Sequence, residues 1–157
     1  MDVRDHNAWK ITELLPNCQE RVKLWEDEAF YIGLPFRISE AYRTQQRQNQ
    51  LWEKGRKNGV IVNRSEVVTY TKNSMHTKRI ALDVYPIGVD SQKEVKDVLN
   101  RLERLGAHYG IYRPPETKAF GDFVHFQVYD IPLPKNNQYY QSSQLRRRDR
   151  MMRATSP

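Results

Sequence analysis

The chain has 157 residues, enough for one domain to bury roughly 70% of the surface its unfolded form exposes, and three Trp, nine Tyr and five Phe supply core material that excludes wholesale disorder. No apolar run approaches the ~20 residues that span a bilayer, Met1–His6 carries no stretch of signal-peptide type, and the lone Cys18 excludes an internal disulfide or an all-cysteine metal cluster. Of the net charge of +7, four charges fall in Leu145–Pro157, where five Arg face one Asp, so a mildly basic domain with a basic tail is expected rather than a uniformly basic nucleic-acid binder.

Pro16, Val22, Trp25, Ala29 and Phe30 have helical spacing before Gly33-Leu34-Pro35, which predicts a helix over 17–32 with Cys18 buried on it. Phe36–Ala41 alternates as a half-buried strand. Thr44 caps a second helix over 45–54 that stops at Gly55. Residues 56–73 lack period and read as a long connection with short extended pieces. Ile80, Leu82 and Val84 then share one face of a core strand, opposite Ala81 and Asp83. Ser91 and Glu94 form a capping box for a helix over 91–105, whose stripe Val95, Val98, Leu99, Leu102 and Leu105 ends at Gly106. Phe123–Asp130 alternates again, and beyond Pro134 no period is left, so residues 135–157 read as a poorly ordered basic tail behind a domain of residues 1–134.

Rare ionisable residues sit on both core strands. His76 and Asp83 are seven apart and would fall on opposite faces of one unbroken strand, so a turn through Thr77, Lys78 and Arg79 is needed before they converge. His125 lies opposite the core-facing Val124 and Phe126, with Asp122 just before that strand. Pairing the two strands would gather His76, Asp83, His125 and Asp122. Two neutral imidazoles and one carboxylate form an open catalytic zinc set, and a further carboxylate can take a proton from the activated water. On residue types alone the plainer reading stands beside it: an Asp that forms a turn and a His that is merely structural.

Ser74-x-His76-x6-Asp83, with Ala81 two before the Asp, and then Asp122-x-x-His125-Phe126-Gln127, resemble the zinc peptidases of bacterial cell walls. These are the D-alanyl-D-alanine carboxypeptidases, D,D-dipeptidases and L-alanyl-D-glutamate endopeptidases, many of the last being phage endolysins. Ser39-Glu40-Ala41-Tyr42-Arg43-Thr44, Gln48, Leu51 and Gly55-Arg56 extend the resemblance, which covers residues 14–129. It implies one zinc ion held by His76, Asp83 and His125, with Asp122 as general base. It also implies that Arg43 binds substrate and stabilises the oxyanion, with Ser74 contacting substrate or orienting the zinc loop and Gln48 a supporting hydrogen-bond partner in the substrate site. Asp rather than Glu three residues before the last His leans toward cleavage of the L-Ala–D-Glu bond of the peptidoglycan stem peptide, with D,D-carboxypeptidase chemistry as the alternative. Two positions depart from the pattern: Arg79 stands where Gly is usual, which puts substrate access in doubt, and Gln127 where Glu is frequent.

The implied architecture is α+β, a small antiparallel sheet with the zinc site on one face and about three helices around it. The Arg-rich tail is either a solvated terminus or an adhesion element for an anionic wall polymer or lipid. A nucleic-acid-binding module is the competing class, disfavoured because no RNP-like run or zinc-finger spacing occurs; a non-catalytic zinc-holding wall-binding protein is another, and it would not need Asp122. A monomer is expected. It would stay in the cytoplasm of its producer until release to the wall, as a phage lysin does.

Overall fold

The computed structural model describes residues 1–136 and 138–154. Helix α1 (Val3–Ile11) begins at Asp2, whose side chain accepts from Asp5 N. Few apolar residues mark it, and its anchor is polar. Asn7, fully buried, donates to Phe36 O at 2.9 Å and to Glu26 Oε2 at 2.6 Å and accepts from Ile38 N at 2.8 Å. α1 thereby satisfies the free edge of the first strand, as an edge requires.

Helix α2 (Pro16–Tyr31) places Pro16 in its first turn and Cys18, Val22, Trp25 and Ala29 on one buried face. Burial pushes the Cys18 thiol up to about 11, consistent with an unreactive core residue. The Trp25 ring lies 4.8 Å from that of Phe36 and 5.1 Å from that of Phe126, and its Nε1–H donates to Leu102 O at 3.0 Å. One side chain thus joins helix to sheet and to the helix behind it. The acidic run Glu26-Asp27-Glu28 is also buried, with Arg4 on the first two and Arg146 on the third.

Strand β1 (Phe36–Glu40) is followed by α3 (Gln45–Glu53), capped by Thr44 Oγ1 on Arg47 N at 3.0 Å. The two-residue strands β2 (Arg56–Lys57) and β3 (Val60–Ile61) pair within the irregular stretch. Next come β4 (Ala81–Pro86), α4 (Gln92–Gly106), β5 (Ile111–Tyr112), the short α5 (Pro115–Ala119) and β6 (His125–Val128). The main sheet is antiparallel with order β1-β4-β6-β5. The β4–β6 register sets Asp83 directly opposite His125. Between β1 and β4 the register shifts after Ile38, so Glu40, not Ser39, lies opposite Asp83.

At α4, Ser91 Oγ accepts from Glu94 N at 3.1 Å, while Glu94 reaches Asp90 N, not Ser91 N, at 3.4 Å, so the expected capping box is half made. The α-helix ends at Gly106, but Gly106 is itself right-handed and is not the terminating left-handed residue. A Cβ there would meet Ile111 O at 2.9 Å, and the left-handed terminus falls instead at Gly110, φ 70°, after one 3-10 turn over 107–109.

The larger correction concerns the C-terminus. Residues expected to be poorly ordered form helix α6 (Gln138–Ala154), docked on α2 where Arg146 pairs with Glu28 and lies 5.3 Å from the Tyr31 ring centroid. Tertiary contact supplies what its own sequence pattern lacks; residues 137 and 155–157 of the expected tail lie outside the described residues. With α1, α5 and α6 added, six helices rather than three surround the sheet among the described residues, and none of them is long and apolar enough to cross a membrane.

Candidate metal centre and substrate cavity

Asp83 points from β4, His125 from the facing position on β6, and His76 from the tight turn between Ser74 and Ile80 that precedes β4. That turn is the reversal the spacing requires: Thr77 N bonds Ser74 O at 3.1 Å, Lys78 N bonds Met75 O at 3.2 Å and Arg79 N bonds His76 O at 3.3 Å. His76 Nε2 and Asp83 Oδ1 are 3.2 Å apart, His125 Nδ1 and His76 Nε2 3.2 Å, and His125 Nδ1 and Asp83 Oδ1 3.5 Å. A tetrahedral zinc at about 2.0–2.2 Å from each donor separates its donors by roughly 3.3–3.6 Å. The three atoms therefore form a triangle of the size one such ion needs, and the two-imidazole, one-carboxylate donor set suits it.

Each imidazole is oriented from behind. His76 Nδ1 lies 2.8 Å from Ala41 O, so Nδ1 carries the proton and Nε2 is the free lone pair. His125 Nε2 lies 3.0 Å from Gln127 Oε1, and Gln127 Nε2 donates to the Tyr112 hydroxyl at 3.1 Å, which anchors the far end of the amide. His125 Nδ1 is left to face Asp83 and His76. Burial disfavours a charged Asp83, but in the metal-free protein, where the facing ring nitrogens are able to carry protons, hydrogen bonds from His125 and His76 outweigh it and hold the carboxyl well below the usual carboxylate range.

The triad forms part of the wall of a cavity of about 880 Å³ that Asp122, Arg43 and Ser74 also line. Asp122 is held by its N–H on Thr117 O at 2.8 Å, and the next residue by Arg113 on Phe123 O at 3.1 Å. Burial and the neighbouring Asp83 charge push the Asp122 carboxyl up, against the pull of His125, His76 and Arg43, which raises its affinity for a proton. The Arg43 guanidinium is clasped by both Glu40 oxygens, and its Nη1 donates to Gln48 Oε1 at 2.7 Å. Ser74 Oγ accepts from His76 N at 3.2 Å, bracing the turn.

Gln48 stands as a hydrogen-bond partner behind Arg43 and does not itself face the cavity. It is fully buried and outside the cavity wall, with its Nε2 on Thr71 O at 2.6 Å, so it reaches a ligand only through Arg43. Arg79 has φ 62°, the conformation for which Gly is usual, at a cost of about 1 kcal/mol. Its side chain leaves the cavity clear: the guanidinium stacks 3.8 Å from the Tyr42 ring centroid and donates to Glu13 O at 3.1 Å. Glu40, Gln127 and Tyr112 escaped prediction as supporting residues. Gln127 was legible in principle, since residues two apart on a strand share a face.

Residues 12–121 match the family described as VanY, D-alanyl-D-alanine carboxypeptidase; the match ends one residue before Asp122. No curated protein sequence matches. Among solved structures, the L-Ala D-Glu endopeptidase ChiX of Serratia marcescens is similar with TM-score 0.59 and 20% identity over 79% of this chain and 86% of that one. The LD-carboxypeptidase LdcB gives TM-score 0.57 and 14% identity over 87% and 64%. VanYB in complex with D-alanine-D-alanine gives TM-score 0.53 and 16% identity over 92% and 84%. At these identities the likeness is one of fold.

Proposed function

This chain belongs to the VanY family of D-alanyl-D-alanine carboxypeptidases, and on that premise we propose that it is a zinc peptidase cleaving the L-Ala–D-Glu bond of the peptidoglycan stem peptide. The observation that carries the reading is the triangle of His76 Nε2, Asp83 Oδ1 and His125 Nδ1 in a cavity wall shared with Asp122 and Arg43. A solved VanY structure is described as a complex with Zn(II). Bound to these three side chains, zinc would lower the pKa of a water to about 7 and polarise the scissile carbonyl.

The protein's own groups supply the rest. Asp122 takes the proton of the attacking water as oxygen bonds to the L-Ala carbonyl carbon, then delivers it to the D-Glu nitrogen as the C–N bond breaks. Arg43, fixed by Glu40 and Gln48, presents its guanidinium to the developing oxyanion without reorganising. His76 and His125 keep their proton-bearing nitrogens on Ala41 O and Gln127, and Ser74 braces the turn that carries His76.

Two features support the internal bond. Asp122 occupies the place where the endopeptidases the sequence resembles have Asp and the carboxypeptidases have Glu. Gly121 and Asp122 also line a second cavity, of about 500 Å³, beside the first, and an internal bond needs room on both sides of the base. The family match favours D,D-carboxypeptidase chemistry as the second reading. Mass spectrometry of fragments released from purified peptidoglycan, with zinc and with a chelator, decides between them. A zinc-dependent free D-Glu amino terminus is expected; loss of terminal D-Ala instead would move the chemistry to carboxypeptidase, and no release by zinc-loaded protein would refute both.

A further inference from the structure

Two aromatic residues at the cavity are left unexplained by the chemistry above. Tyr70, in the loop after β3, and Phe120, at the end of α5, meet edge to face with ring centroids 4.9 Å apart and planes at 89°. Both line the same cavity as the triad, yet Tyr70 is 55% and Phe120 51% exposed. The hydrophobic core does not use them. A contiguous exposed apolar patch inside a binding cavity marks a place where ligand covers it.

The surroundings narrow the ligand. Thr69, Thr71, Asn73 and Thr117 line the cavity beside the pair, and Glu116 adds a carboxylate acceptor. Arg56 lies 5.7 Å from the Tyr70 ring centroid and Arg47 lines the cavity farther along; rings flanked by hydroxyls, an amide, a carboxylate and guanidinium donors match a molecule with one C–H-rich face and a rim of hydrogen-bonding groups. A sugar ring has that form: its axial C–H bonds point at the electron-rich face of an aromatic ring while its hydroxyls hydrogen-bond around the edge. The cavity's 880 Å³ lies toward the top of the range of about 300–1,000 Å³ typical of ligand sites, more than the two amino acids flanking the scissile bond fill. In the proposed substrate the L-Ala nitrogen is acylated by the lactyl group of N-acetylmuramic acid, so a sugar ring begins about 7 Å, two extended residue lengths, from the scissile carbonyl.

We propose that Tyr70 and Phe120 form a sugar subsite that stacks the N-acetylmuramoyl ring carried by the L-Ala residue. The inference rests on the L-Ala–D-Glu reading and gives it a recognition element on the acyl side of the bond. The enzyme then prefers stem peptides still attached to glycan over free peptides, whose L-Ala has no ring to offer.

The test compares two ligands of identical peptide sequence, one capped on L-Ala by N-acetylmuramic acid and one by acetyl. Their dissociation constants are measured by calorimetry on the zinc-loaded Asp122→Asn protein. A muramoyl preference of about five- to tenfold is expected, of the size that aromatic contacts confer. In the same background Tyr70→Ala and Phe120→Ala should bring the ratio near one, while Tyr70→Phe, which keeps the ring, should restore it; melting temperature and zinc content check that each variant is folded. A ratio of one in the parent protein, or a ratio untouched by both alanine variants, overturns the sugar subsite. Failure of the endopeptidase reading appears separately, as absent turnover of either ligand by the zinc-loaded wild-type enzyme.

Discussion

Gln127→Ala tests the logic of the metal centre without touching a proposed ligand. In the parent protein Gln127 Oε1 accepts the Nε2 proton of His125 at 3.0 Å, and Tyr112 fixes the amide from the other end at 3.1 Å. Removing the acceptor leaves a 7% exposed imidazole free to protonate Nδ1 instead, the atom that must stay bare for zinc. Loss of such an outer partner costs about 10–100-fold in metal affinity, equivalent to about 1.4–2.7 kcal/mol. The acceptor here is a neutral amide beside an open cavity that admits water, so the effect belongs near the tenfold end. Tyr112→Phe keeps the acceptor and loses only its anchor, and should cost less, within about fivefold. Gln127→Glu keeps the acceptor and adds charge, and should bind zinc at least as tightly as the parent. Competition against a chromogenic chelator at neutral pH reads all three. A folded Gln127→Ala protein with parental zinc affinity would refute the tautomer argument, and with it the assignment of Nδ1 as the donor of His125.

Asp122→Ala should keep one zinc and lose hydrolysis by about 10²–10⁴-fold, whereas His125→Ala should lose both, read by metal analysis beside fragment release; full activity in the first variant removes the base. The rise in melting temperature produced by zinc should grow from about pH 5 to pH 8. Burial works against the charge on His125, but the Asp83 and Gln127 hydrogen bonds and the Asp83 and Asp122 charges raise its pKa in the metal-free protein. That contribution is full below the unfolded value of about 6.5 and is lost as pH rises through the raised folded value, while zinc requires the neutral ring, so both effects act in one direction. Asp83, held far below this range, stays ionised throughout and adds no slope; a zinc increment that shrinks with rising pH would contradict the scheme. Asn7→Ala should destabilise by about 2–4 kcal/mol, because it strands Ile38 N–H and Phe36 O in the interior and leaves the Glu26 carboxylate with Arg4 but without its Asn7 partner, measured by urea unfolding; a change below 1 kcal/mol would mean that α1 is held by something else.

The sequence was informative where periodicity and capping agree and silent where tertiary contacts decide. The Val22, Trp25, Ala29 stripe and the Ser91 cap announce α2 and α4, and the Asp83 and His125 alternations announce the two strands that carry the site. α1 announces itself poorly because it is fastened by the polar Asn7, a residue that pattern analysis assigns to the surface. α6 fails the same test for another reason: its 17 residues carry no clean apolar stripe, and it meets α2 through tertiary contacts such as Arg146 on an acidic residue 118 positions earlier. Arg79 shows the limit of motif matching. The position needs positive φ, as the usual glycine implies, but where its side chain goes depends on Tyr42 and the loop after α1.

The placement of Arg43 rests on a feature that alternation alone gets wrong. Strict period-two reading of β1 puts Phe36, Ile38 and Glu40 on one face, which would drive Glu40 toward the core and leave Ala41 outside. The register shift after Ile38 inserts Ser39 as an extra residue, so that Glu40 lies opposite Asp83 on the site face and Ala41 is fully buried. Both consequences reach the metal centre. The Ala41 carbonyl meets His76 Nδ1 and selects its tautomer, and Glu40 grips Arg43 on the cavity wall. A bulge that re-aims side chains beside a functional site is a recurrent device of antiparallel sheets; here one inserted residue orients a metal-facing histidine and the cation proposed to meet the oxyanion.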